Sequence, residues 1–350
     1  SRDGGGAVIE RPVEPVLVAG RRGDGVGAPL FANLKDPEGI AVDSTGRLFV
    51  VDRDTDYIHV FDLPAGRAWA ITGPGPLRPA PVASVPPGGP VGDSQHIAVD
   101  PMGGLVFAGD ESRFVHRYDF ATGSITLVGG TYGETEFGGD GGPATKASLR
   151  VQGLACDREG NVYVSGTNRI RRISWQTGRI ETVAGTGKFG FFGDGGPARA
   201  ADLARPSAIA VDRQGTIYFS DGSNNRIRAI DRKGIIRTVA GNGRSGPPED
   251  GDALRGAAGP VVALAVDPDG DVVFVTEYGF VRRVLVERRV METFTQDLRW
   301  PEMPRPREVA GVAATADGSI LFVVHRSKQV LAIPGARIRK GASPERPARP

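Results

Sequence analysis

Short apolar runs broken by polar turn signals fill this chain. Residues 208–240 show the pattern in full. Ala208–Asp212, Thr216–Ser220, Arg226–Asp231 and Ile235–Ala240 are rich in Ile, Val, Phe or Tyr, with Gly, Asp and Asn between them. Four such runs at this spacing predict one antiparallel meander. The group opens on Ile-Ala-Val-Asp-x-x-Gly, a phrase that recurs as Ile40–Gly46, Ile97–Gly103, Leu154–Gly160, Ile209–Gly215, Leu264–Gly270 and, worn, Val312–Gly318. Six copies at a period of roughly 40 to 60 residues predict a six-bladed β-propeller, one four-stranded sheet per copy.

The Asp of the phrase (Asp43, Asp100, Asp157, Asp212, Asp267) stands at a hairpin corner. An Asp opening a turn accepts backbone N–H bonds, and a Gly three residues on tolerates positive φ. These Asp residues are therefore read as turn formers rather than metal ligands. The ends of the chain complete the count. Val13–Gly20 resembles the close of a blade unit (compare Glu181–Gly185 and Arg237–Gly241), whereas the sixth copy runs out after Gly311–Thr315, Ser319–Val324 and Lys328–Ile333. Pairing the N-terminal strand into the last blade closes the ring and removes two sheet edges. The expected organisation is a flexible segment 1–12, a propeller 13–335 and a basic, Pro-containing tail 336–350.

The fourth copy carries a more specific text. Pro206–Arg228 reads Pro-x-x-Ile-Ala-Val-Asp-x-x-Gly-x-Ile-Tyr-x-x-Asp-x-x-x-Asn-Arg-Ile-Arg, and Gly-Asp-Gly-Gly-Pro-Ala stands in the connection before it. This resembles the NHL-repeat family, as do Asn161–Arg171 and the loop Gly139–Ala144, while the other copies keep the hydrophobic frame. The resemblance implies a six-bladed propeller of NHL-like four-stranded blades. For function it implies a binding scaffold, a sensor domain or one of a few related enzymes.

Composition narrows this further. With 350 residues, 39% hydrophobic, 51 Gly and 27 Pro, the chain suits a core of many short strands. Its 43 basic and 41 acidic residues give a net charge of +2, so no nucleic-acid partner is expected. The recurring third-strand arginines (Arg169, Arg171, Arg172, Arg226, Arg228, Arg282, Arg283) are read as packing and solvation within the repeats. Cys156 alone cannot form an internal disulfide and replaces Val in the repeated phrase, so it is read as a small hydrophobe. No apolar stretch approaches the roughly 18 residues of a membrane span. The chain starts at Ser1 without an initiator Met, from which a secreted, periplasmic or cell-surface protein is expected, as part of a larger assembly or standing alone.

The candidate chemistry lies where first strands enter the central channel. Those lead-in pairs are Glu38-Gly39, Gln95-His96, Gln152-Gly153, Ser207-Ala208, Val262-Ala263 and Ala310-Gly311, polar on one half and apolar on the other. Resemblance to six-bladed lyases implies zinc held by histidines from several blades, which needs three protein ligands. Of four His, only His96 stands at a lead-in; His59 and His116 fall in third strands and His325 ends a second strand, pointing elsewhere. A lactonase-like calcium centre would need more oxygen donors than Glu38, Gln95 and Gln152. A strictosidine-synthase-like reading makes Glu38 a general base, without an identifiable partner. Asp140 and Asp194, in loops ending on short helical turns that dock Leu149 and Leu203, are read as turn residues. The Pro-rich connection Gly73–Asp93 is the first candidate for a partner contact.

The expectation is a non-catalytic scaffold, without cofactor or metal, that binds a protein or glycan through its loop faces. Its binding residues would be Glu38, Gln95, His96, Gln152 and Ser207. The alternative is a channel-mouth hydrolase or lyase using Glu38 and His96, with Gln95 and Gln152 orienting.

Overall fold

A computed structural model describes residues 16–19, 34–55, 57–63, 67–71, 95–109, 113–132, 137–246, 249–294, 309–325 and 327–335. Segments 1–12, 73–93 and 336–350 lie outside the described residues.

Each repeated phrase folds into the corner it was expected to make. One carboxylate oxygen of Asp43 accepts the backbone N–H groups of Thr45 and Arg47; Asp157 does the same for Glu159 and Asn161, Asp212 for Gln214 and Thr216, and Asp267 for Asp269 and Asp271. The Gly ending the phrase is left-handed in all six copies, with φ from 80° at Gly160 to 98° at Gly103, which is why Gly stands there. These corners join first to second strands.

Six sheets result. Blade 1 is Pro37–Val42, Arg47–Asp52, Tyr57–Asp62 and Arg67–Ala70; blade 2 is His96–Asp100, Gly104–Gly109, Phe114–Asp119 and Ile125–Gly129. Blade 3 is Gly153–Cys156, Val162–Gly166, Arg169–Ile173 and Ile180–Ala184; blade 4 is Pro206–Val211, Ile217–Asp221, Arg226–Ile230 and Ile236–Ala240. Blade 5 is Val261–Val266, Val272–Thr276, Val281–Leu285 and Val290–Thr293, with Gly251–Asp252 added outside. Blade 6 is Val309–Ala314, Ile320–Val324 and Gln329–Ile333, and its fourth strand is Val16–Ala19 from the other end of the chain. That strand pairs antiparallel, Val16 opposite Ala332 and Leu17 opposite Leu331. First strands touch first strands around the whole circle, blade 6 against blade 1 included.

The core is divided among the seams. Alternate residues of a strand point to opposite faces, and here both faces are covered: Ile40 packs towards blade 6 with Leu321 and Val323, while the next residue, Ala41, packs towards blade 2 with Ile97 and Phe107. Six apolar clusters follow, each shared by two neighbouring blades. Double coverage explains why second strands read as unbroken apolar runs such as Leu48-Phe49-Val50-Val51. Cys156 borders the cluster between blades 2 and 3, and burial pushes its thiol up, away from reactivity.

Three third-strand arginines are not solvated. Arg171, Arg228 and Arg282 are at most 3% exposed. Each reaches a loop carboxylate ahead of its own blade: Arg171 bonds Asp140 (Nε, 2.9 Å), Arg228 bonds Asp194 (Nη2, 2.8 Å) and Arg282 bonds Asp250 (Nη2, 3.2 Å). A fourth-strand Thr completes each set, as Thr182, Thr238 and Thr293 donate their hydroxyls to the same carboxylates. In blades 3 and 4 the ladder shifts register just before the arginine, a bulge that re-aims its side chain. Asp140 and Asp194 are thus ion-pair partners that fix their loops. Within those loops Ala144–Lys146 and Ala198–Ala200 form single 3₁₀ turns, and Leu149 and Leu203 are buried below them. No helix among the described residues is long and apolar enough to cross a membrane.

Candidate functional site

The first strands leave a cavity of about 360 Å³ at one mouth of the channel. Close approach around this mouth demands small residues: a Cβ on Gly153 would lie 2.0 Å from the carbonyl oxygen of Ser207, and one on Gly311 would lie 2.8 Å from that of Glu38. The equivalent positions are Gly39, Ala208 and Ala263, so His96 is the exception and brings a side chain to the cavity wall. Glu38, Gln95 and Gln152 line the same wall. Ser207 does not. Its hydroxyl pairs with Ser220 (2.7 Å) and its carbonyl accepts from Ser165, so it stitches blade 3 to blade 4 instead.

Two further groups reach the cavity from the ends of second strands, Glu277 in blade 5 and His325 in blade 6. Polar groups therefore stand on the half of the mouth that the lead-in pairs made apolar. His325 does not point elsewhere, as expected from its strand position; the seam between blades 6 and 1 carries it to Glu38. Its Nδ1 lies 2.8 Å from Asp36 and its Nε2 lies 3.7 Å from Glu38. Arg53 completes the group at 2.7 Å from Asp36 and 3.3 Å from Glu38. Glu38 thus has partners, Arg53 and His325, that its sequence surroundings did not reveal. The lead-in segment is itself held from below, as the buried carboxylate of Asp52 accepts the N–H groups of Lys35 (2.6 Å) and Asp36 (2.8 Å).

The two channel histidines are driven in opposite directions. Glu38, joined by Asp36 and opposed by burial, raises the pKa of His325 and favours the imidazolium. Burial lowers that of His96 to about 4, with Glu38 offsetting part of the shift, so His96 is neutral at pH 7. A histidine raised in the folded state stabilises fully below its unfolded value of about 6.5 and loses that contribution as pH climbs through the raised value. The melting-temperature gap between wild type and His325→Gln is accordingly expected to be wider at pH 6 than at pH 9. A gap that stayed constant across this range would contradict the ion-pair assignment.

Ligand atoms of Asp36, Glu38 and His325 lie within 4.8 Å of one another, which is within reach of a divalent ion. Such an ion would have to displace Arg53 and remove the proton of His325. His59 and His116 sit in the third strands of blades 1 and 2 and line no part of the cavity.

The mouth also defines the elaborated face of the disc. First strands start and fourth strands end there, so the described connections between blades 2 and 3, 3 and 4, and 4 and 5 lie towards this side, as do the described second-to-third loops. The opposite side has the tight Asp corners. Large apolar side chains stand exposed on the mouth face: Tyr132, Phe189, Phe191 and Phe192 in connections and Tyr278 in a second-to-third loop.

The Teneurin NHL domain family matches residues 190–249, the connection and blade in which the repeat is most regular. The chain is an NHL-repeat β-propeller. Zebrafish Teneurin-3 is 45% identical to this propeller over 153 residues, 40% of the chain and 5% of Teneurin-3. The chain spans at most 12% of the length of the first curated relatives it matches. Among solved structures, a protein of unknown function from Bacteroides thetaiotaomicron superposes with a TM-score of 0.63 at 14% identity, covering 91% of this chain and 75% of that one. Virginiamycin B lyase from Staphylococcus aureus follows at 0.52 and 14% identity, covering 86% and 95%. Identities this low place the NHL-repeat propeller among six-bladed folds and carry no chemistry across.

Proposed function

We propose that this propeller is a binding scaffold whose partner, a protein or a glycan, docks on the face that bears the channel mouth. The observation that carries the reading is the concentration of exposed aromatic side chains on that face, above a rigid disc. Aromatic anchors on fixed backbone are what binding surfaces use, because few torsions are lost on association. Glu38 adds support from the other side, since its ion pairs with Arg53 and His325 occupy the carboxylate that a general base needs free.

One observation favours a second reading, a hydrolase or lyase at the mouth. His96, which burial holds neutral, and His325, whose imidazolium Glu38 and Asp36 favour, face one cavity and are pushed in opposite directions, the pattern of an acid and base pair. Biotinylated protein on glycan and peptide arrays separates the two. The scaffold reading predicts hits whose affinity falls about tenfold or more in Phe189→Ala/Phe192→Ala, as truncated anchors cost on the order of 2 kcal/mol. Hits indifferent to that change, together with ester, lactone or lyase turnover abolished by Glu38→Gln/His96→Gln, would establish the enzyme instead.

A further inference from the structure

The two most exposed aromatic rings of the described chain, Phe189 and Phe192 at 63% and 67%, stand on one loop between blades 3 and 4. The internal repeat shows that the fold does not require them. Aligned on Asp140 and Asp194, the preceding loop reads Thr135-Glu136-Phe137-Gly138 where this one reads Phe189-Gly190-Phe191-Phe192. Only Phe191 has an aromatic counterpart, and both members of that pair serve the same structural contact: Arg226 lies 4.0 Å from the Phe191 ring and Arg169 lies 3.8 Å from the Phe137 ring. Phe189 and Phe192 are additions to a loop that is already complete.

The loop holding them is fixed. Phe189 bridges to Leu203 and Phe192 to Asp202. The carbonyl of Gly190 accepts from Asn224 Nδ2 (2.8 Å) and that of Phe192 from Arg228 Nη2 (3.0 Å). Rings presented on such a backbone lose little entropy when a partner covers them.

The surroundings are positive. Lys188, Arg205 and Arg244 are exposed and make no ion pair among the described residues. Of the nearby acids, Asp194 and Asp221 share Arg228, with Thr238 and Asn224 as further donors, and Asp202 accepts from the Thr186 hydroxyl; Lys188, Arg205, Arg226, Arg228 and Arg244 outnumber these three carboxylates. A chain of contacts makes this one surface. Arg205 N–H donates to Asn168 and its carbonyl accepts from Gly222, Arg226 passes from Phe191 to the carbonyl of Asn242, and the N–H of Arg244 donates to the Asn242 side chain. Arg205 is also held at φ 51°, a left-handed conformation that is strained for a residue with a Cβ.

We propose that this rim of blades 3 and 4 docks an acidic protein segment carrying large apolar side chains, the apolar groups on Phe189 and Phe192 and the carboxylates on Lys188, Arg205 and Arg244. The proposal rests on the scaffold reading and names its partner's chemistry. Charge complementarity selects a carboxylate-rich segment over a neutral glycan, which has no use for unpaired cations. A phosphodiester chain is disfavoured because its affinity grows with each phosphate neutralised, and the chain as a whole carries only +2.

The test is fluorescence anisotropy with the full chain and four labelled probes: a peptide of about twelve residues mixing glutamate with leucine and phenylalanine, its lysine-for-glutamate and serine-for-apolar counterparts, and an oligouridylate of equal length. The proposal expects only the first to bind. Its affinity should drop about tenfold or more both in Phe189→Ala/Phe192→Ala and in Lys188→Glu/Arg205→Glu/Arg244→Glu, and should weaken steeply with salt. Unchanged melting temperatures show that these exposed substitutions leave the fold intact. Failure of the acidic peptide to bind, equal binding by the variants, or oligouridylate in its place overturns the proposal. If array hits still depend on Phe189 and Phe192 while the acidic peptide fails, the scaffold reading stands and the acidic partner falls. If neither depends on these rings, both fall.

Discussion

Deleting residues 1–20 is expected to lower the melting temperature of the entire propeller by roughly 5 °C, a loss on the order of 4 kcal/mol. The strand Val16–Ala19 is the only partner on the outer edge of Gln329–Ile333 in the described structure, whose Val330 and Ile333 are fully buried. Its removal leaves blade 6 with three strands and an open row of backbone donors and acceptors. Because each apolar cluster is shared by two blades, loosening blade 6 also loosens its seams with blades 5 and 1. Calorimetry of the truncated and full chains checks this; superimposable transitions would mean that the N-terminal strand does not close the ring.

Arg228→Ala is expected to cost about 3–5 kcal/mol, the usual penalty for removing one member of a buried ion pair. Arg228 is fully buried and bonds Asp194 (2.8 Å), Asp221 (3.2 Å) and the carbonyls of Asp202 and Phe192 (both 3.0 Å). Without it the fully buried Asp221 carboxylate keeps only the Ala204 N–H and the Asn224 amide, and two loop carbonyls lose a donor. Arg228→Lys is expected to recover little, since a single ammonium cannot reproduce the guanidinium fork. The comparison is Arg172→Ala, whose pairing with Glu181 is exposed to 38% on both sides and is worth less than about 1 kcal/mol. Urea midpoints measure the contrast, and equal losses in the two variants would contradict the role assigned to the buried arginines.

The hairpin corners were legible because their determinants are local: an Asp, two spacers and a Gly fix five of the six turns, Thr315 standing for the Asp in the sixth, and short apolar runs mark the strands between. Ring closure was legible because the sixth copy lacks a strand that the first residues supply. His325 was not, since its bond to Asp36 spans 289 residues and exists only once the ring has closed. Ser207 was misplaced because a lead-in position decides where the backbone runs, while the nearby Ser220 hydroxyl decides where the side chain goes. The buried arginines had a signal that composition hides. Their Asp partners stand 31, 34 and 32 residues earlier, a near-constant spacing that marks one contact repeated in three blades.

If function lies on the proposed docking rim, Asp36, Glu38, Arg53 and His325 serve as an ion-pair lock across the closing seam. Elemental analysis of the purified protein, with melting temperature recorded before and after chelator, tests this most directly. The expected result is no stoichiometric metal and an unchanged melting temperature, because Arg53 already pairs with both carboxylates and they favour the protonated form of His325. Stoichiometric zinc or calcium whose removal lowers the melting temperature would contradict it and move the functional centre to the channel mouth.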